Sequence, residues 1–157
     1  MPGLNRDAGT RMSRTSVANI FRRLTFMEGE WKGSLSNRDV GRFADELRCR
    51  IEEGKLVGVS SLTVDGEEVG TRRFDIWVEE DSVLGRWEID GQGTETYVCE
   101  YEGEKDEFLF NLRNNPTSID YRTIRRLDMM HFITMEQLPR EGTSSVETLQ
   151  MEYTRTL

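Results

Sequence analysis

Gly29-Glu30-Trp31-Lys32-Gly33 decides the reading of this chain, and Tyr153-Thr154-Arg155 at the far end answers it. A Trp entering a first strand and an Arg leaving a last one can stack, guanidinium on indole, and seal the seam where a curled sheet meets itself. On this reading Gly29, Trp31 and Arg155 form the closure of a β-barrel.

Downstream of Gly29 helical periodicity disappears. Segments of about eight residues, rich in β-branched and aromatic side chains, follow one another between turn residues. Strands are expected over 30–36, 43–52, 55–63, 68–79, 83–90, 95–102, 106–112, 118–126, 129–137 and 146–155. Their connections are short, among them Glu53-Gly54, Asp65-Gly66, Asp90-Gly91-Gln92-Gly93 and Arg140-Glu141-Gly142. Such connections join antiparallel neighbours, because a parallel crossover needs about a dozen residues or more. About ten strands at regular hairpin spacing predict an all-β fold, a single antiparallel up-and-down barrel rather than a Greek-key sandwich. A bore of that size exceeds what side chains fill comfortably and leaves room for a small ligand.

Upstream, Val17, Ile20, Phe21 and Leu24 recur at helical spacing, with Ser16 as N-cap and Gly29 as the stop. This short amphipathic helix needs an apolar surface, which one end of a barrel supplies. Residues 1–15 carry no apolar period and are expected to be a disordered tail; the barrel domain then spans 16–157.

Composition bounds the function. A net charge of −8, with arginines dispersed among carboxylates, argues against nucleic acid as a partner. Two cysteines, Cys49 and Cys99, make neither a disulfide framework nor a zinc spacing. His131 is the only histidine, so no metal site is expected. No apolar run reaches the length of a membrane span, and the N-terminus lacks a secretory apolar core. A cytoplasmic protein is the expectation.

Gly29-Glu30-Trp31 behind a short helix, with Tyr153-Thr154-Arg155 at the end, resembles the calycin pattern shared by lipocalins, fatty-acid-binding proteins and nitrobindins. There a Gly-x-Trp opens the first strand and an Arg of the last strand covers the indole. Three C-terminal segments look like a bacterial calycin-like family known only as a domain of unknown function: Asp120-Tyr121-Arg122-Thr123, His131-Phe132-Ile133-Thr134-Met135-Glu136 and Leu149-Gln150-Met151-Glu152-Tyr153-Thr154-Arg155. The likeness covers residues 20 to 157, although Asn37 to Gly41 lacks the longer Pro- and Gly-containing loop expected there. It implies the barrel and an inward Arg122, and no particular activity. Nitrobindins place their iron-binding His close to the final strand, where this chain has Thr148, Gln150 and Glu152. No haem or other cofactor is therefore expected, and a structural or surface role suits His131 better than iron ligation.

Strand parity nominates a site. Leu149, Met151, Tyr153 and Arg155 share one face of the last strand, and Phe74, Ile76 and Val78 share the inner face of theirs, with Trp77 outward. Trp87, Tyr97, Phe108, Phe110, Arg122, His131 and Tyr153 are the candidate ligand-binding residues, an apolar cavity with a few polar handles. The expected function is binding of a small apolar or amphipathic molecule, oriented by Arg122, Tyr153 and His131. Against this stand aromatics that simply fill the barrel and an Arg122 paired with Glu136 across neighbouring strands. Two other functions compete: a barrel enzyme of isomerase or cyclase type moving a proton through Glu136 or Glu152, and a homodimeric scaffold using Trp77 with Val57 or Leu62. No catalytic residue is assigned, because no Ser sits at a strand-turn-helix elbow and no second His is present.

Overall fold

The computed structural model describes residues 17–35, 42–139 and 146–156. The expected tail, the Ser16 cap, the Asn37–Gly41 segment and the Arg140-Glu141-Gly142 turn lie outside the described residues. Helix α1 (17–24) runs into a 3₁₀ turn, Thr25–Met27. The strands are β1 (Gly29–Leu35), β2 (Phe43–Glu52), β3 (Lys55–Val64), β4 (Glu67–Glu79), β5 (Ser82–Ile89), β6 (Gln92–Gly93), β7 (Tyr97–Glu102), β8 (Glu107–Leu112), β9 (Tyr121–Arg126), β10 (His131–Pro139) and β11 (Val146–Arg155).

All pairings are antiparallel between chain neighbours, except that β5 pairs both with the two-residue ribbon β6 and with β7, and β1 pairs β11. Ten strands thereby close into a ring, as the alternation and short connections predict, and β6 hangs on β5. Two-residue turns set the hairpins: Glu53 and Gly54 have φ of 49° and 79°, and Asp65 and Gly66 have 52° and 85°. Left-handed backbone at both positions gives the turn whose twist matches the strands it joins.

At the seam Trp31 stands opposite Arg155 in register, and the Arg155 guanidinium carbon lies 4.2 Å from the indole centroid. The stacked guanidinium donates to the carbonyls of Phe26 (2.6 Å), Glu28 (2.7 Å) and Met129 (3.1 Å), while Trp31 Nε1 donates to the Met27 carbonyl at 2.7 Å. The last carbonyls of a helical segment have no partners within it, and here the closure residues supply them. One contact pair thus joins the sheet and pins the helical segment against one end of the barrel. Phe26, Trp31 and Phe132 meet edge to face below it, with centroids 4.6–6.1 Å apart.

The interior is divided lengthwise. Toward the helix end lie fully buried Leu24, Met27, Leu56, Ile76, Val83 and Phe108. Toward the opposite end, near the starts of β2 and β9 and the last turns of β10, buried Asp45, Arg122 and Glu136 point inward. Val78, expected inward, is 42% exposed because it sits where its strand reaches the rim. Val57, expected on an exposed outer surface, is buried. It stands opposite Asp75 on an outer face where Trp77 faces equally buried Leu84 in register and Lys55 lies over the Trp77 ring. No helix among the described residues is long and apolar enough to cross a membrane.

Replacing Arg155 with Ala removes the indole stack and leaves three carbonyls without their donor. It should lower stability by about 1–3 kcal/mol, a fall in Tm of roughly 3–10 °C by thermal melting. Arg155→Lys, which keeps the charge but not the fork, should recover only part of that. An unchanged Tm in Arg155→Ala would contradict the seam.

Candidate ligand site inside the barrel

Five strands carry one buried polar cluster. Arg122 of β9 stands opposite Glu136 of β10 in register, and their charged atoms approach to 3.0 Å. Arg72 of β4 reaches across the bore to the same Glu136 oxygen. Asp45 of β2 accepts a short 2.5 Å hydrogen bond from the Tyr153 hydroxyl of β11. That reach depends on Gly33 of β1, opposite Tyr153: a Cβ there would lie 2.5 Å from the Tyr153 ring. Glycine on β1 leaves the recess that the phenol occupies.

Around these groups runs an apolar wall of Trp87, Phe74, Phe132, Leu47 and Met27. Trp87 packs edge to face on Tyr97 and Phe110, and the Arg122 guanidinium sits over the rings of Trp87 (5.0 Å) and Tyr97 (5.5 Å). Between them is a cavity with about 40 Å³ open to the centre of a water-sized sphere, room for a few waters. Three polar atoms of the cluster are buried without a well-aligned hydrogen bond: Asp45 Oδ1, Arg122 Nε and Arg122 Nη1. The Nη1 contact with Glu136 has an ion pair's distance, but its N–H is not aimed at the oxygen. Leaving such atoms unpaired in a protein interior is expensive.

The electrostatics follow from burial. Desolvation raises the Asp45 carboxyl above the ordinary range, while Tyr153, Ser60 and Arg72 pull it back less strongly. Burial, reinforced by the neighbouring Asp45 charge, holds the Tyr153 phenol well above its usual value. Burial lowers Arg122, yet an arginine stays charged at any working pH. Burial also pushes the Cys49 thiol up to about 12 and raises that of Cys99, so neither supplies a thiolate at neutral pH.

Of the residues nominated from sequence, Trp87, Arg122 and Tyr153 line the cavity. Tyr97, Phe108 and Phe110 lie behind that wall as buried filling, with the Tyr97 hydroxyl donating to Asp120 at 2.8 Å. The Arg122–Glu136 pairing expected as the plainer reading is present. His131 is a correction: it is exposed on the outer face and pairs with Asp128 through Nδ1 at 2.9 Å. Its neighbour Phe132 turns inward to stack on Tyr153, so strand parity turns His131 out. Glu152 is also exposed on the outside, and Glu136 is held between two guanidinia, so neither is placed as a free proton carrier.

Asp45, Ser60 and Arg72 were not nominated. Their signal was parity: Asp45 alternates with Phe43, Leu47 and Cys49, and Arg72 with Phe74 and Ile76, each a polar residue in an apolar row. A larger groove of about 520 Å³ lies on the outer face among Glu30, Lys32, Glu46, Arg48 and Arg50. Its arginines are satisfied by exposed Glu30 and Glu52, so it lacks the buried unpaired atoms that single out the inner cavity. No group of three His, Cys, Asp or Glu side chains among the described residues is placed to hold a metal ion. No protein-family model and no curated protein matches the chain, and the closed antiparallel barrel itself is consistent with a calycin-like fold.

Glu136→Gln would leave two buried guanidinia without their counter-charge. It should destabilise the protein by about 3–5 kcal/mol in chemical denaturation. Glu152→Gln, on the exposed face, should change stability by no more than about 0.5 kcal/mol. Equal small effects from both would contradict the buried cluster.

Proposed function

We propose that this calycin-like barrel binds a small amphipathic molecule bearing an acidic group. The acid lies against Arg122, and the apolar part against Trp87, Phe74 and Phe132. The observation that carries this reading is the guanidinium of Arg122: 4% exposed, over two aromatic rings, ion-paired with Glu136 through Nη1 yet with neither Nε nor Nη1 making an aligned hydrogen bond to the protein. A carboxylate entering the cavity would accept from those N–H groups in charge-assisted bonds, and burial of its apolar portion would add roughly 25 cal/mol per Å². Free volume limits the guest to about four or five heavy atoms unless Met27, an adaptable side chain in the wall, moves aside. A short-chain acid fits this description and a long-chain fatty acid does not.

Binding is tested with propionate, propionamide and laurate, following tryptophan emission in a Trp77→Phe background that removes the outer-face indole. Propionate should bind saturably and perturb Trp87, propionamide should bind at least tenfold more weakly, and laurate should not enter. Arg122→Met should abolish the propionate response while retaining the barrel's circular dichroism. Failure of propionate to saturate at millimolar concentrations would contradict the proposal and leave a barrel whose interior is simply filled.

A further inference from the structure

The cavity holds more acidic groups than its cations can serve once a guest acid arrives. We infer that the barrel takes up one proton with each acid it binds, and that Asp45 Oδ1 carries it; this rests on the binding reading above.

With Glu136 and Asp45 both ionised, Arg72 and Arg122 balance them and the empty cavity is neutral. A bound carboxylate then adds an uncompensated negative charge in a water-poor interior, where like charges disfavour one another strongly. Glu136 cannot relieve this, because both guanidinia are engaged on it. Asp45 can. Its Oδ2 is taken by the Tyr153 hydroxyl at 2.5 Å, the length of a charge-assisted O–H···O⁻ bond, while Oδ1 is buried, unpaired and on the cavity wall. A proton from solvent placed on Oδ1 restores neutrality and turns an orphaned acceptor into a donor aimed at the guest. The guest remains a carboxylate, accepting from Asp45 on one side and from Arg122 on the other.

The groups facing Asp45 do not undo this. Ser60 of β3 and the Tyr153 phenol of β11 are neutral, Arg72 of β4 is committed to Glu136, and β1 presents only Gly33 at that level. On its own strand Glu46 points outward and Cys49 stays a protonated thiol. Burial already lifts the Asp45 carboxyl above the ordinary range, which lowers the cost of acquiring the proton. The sign follows from linkage. The guest prefers protonated Asp45, so Kd is flat below the free protein's Asp45 pKa and rises toward tenfold per pH unit above it. It levels off again above the higher pKa of the complex.

The test is calorimetric titration of the intact protein with propionate between about pH 6 and pH 9, where propionate is ionised throughout, in two buffers of different ionisation heat. Expected are a Kd that rises with pH and a buffer-dependent heat equal to uptake of up to about one proton per propionate. Asp45→Asn should give a Kd independent of pH and no buffer dependence. Propionate binding with a flat Kd and identical heats in both buffers would overturn the inference while leaving the binding reading intact, as would a pH slope that survives in Asp45→Asn. No binding at any pH would overturn the binding reading and, with it, this one. The wild-type heats decide the matter even if the variant fails to fold.

Discussion

The pairing of the first strand with the last is the constraint on which the rest depends. A sheet of ten antiparallel strands left open would expose two edges of unpaired backbone and have no defined interior. Trp31 and Arg155 meet at that seam, and the Arg155 fork reaches back to the carbonyls that end the helical segment. Closure and end-capping are therefore one event. Removing the guanidinium would loosen the ring and release the helical turn together, which is why a single half-buried arginine at the rim matters to the buried core beneath it.

Closure also fixes which side chains must share the bore. Near the helix the solution is ordinary: large apolar groups interdigitate and leave no room. Toward the other end five strands contribute polar groups instead, and their partners come from across the barrel rather than from neighbours in sequence. Arg72 and Glu136 meet only because β4 and β10 belong to one ring, and Tyr153 reaches Asp45 only because β1 between them carries Gly33. Such a cluster is poor as a source of stability, since desolvating charges offsets much of what pairing returns. Within it Asp45 and Arg122 keep buried atoms without an aligned hydrogen bond, and the proposed binding rests on those atoms.

Much of this was legible in the sequence. The strand boundaries followed from turn pairs such as Glu53-Gly54 and Asp65-Gly66, which adopt left-handed backbone and fix register locally. Parity placed Trp87 and Tyr153 inside, as the structure has them, and the calycin-like resemblance did the same for Arg122. The same alternation, applied to β2 and β4, sets Asp45 and Arg72 in apolar rows, but a polar residue in such a row is normally discounted as an edge or rim position. Only the cross-barrel geometry shows that they face one another. The surface role preferred for His131 over iron ligation is the observed one, but its nomination as a ligand contact fails, because inward Phe132 beside it already required an outward ring. Val57 was misjudged because parity gives direction and not cover; it points away from the bore and is nonetheless buried on the outer face.

Native-state amide hydrogen exchange across the β1–β11 seam tests the central claim most directly. If the ring is closed as described, the paired amides of residues 31–35 and 151–155 should exchange only through opening within about 1 kcal/mol of global unfolding, like those of the central hairpin β2–β3. Rapid exchange along both strands, of the kind shown by fraying edges, would contradict closure and remove the enclosed interior on which the binding account rests.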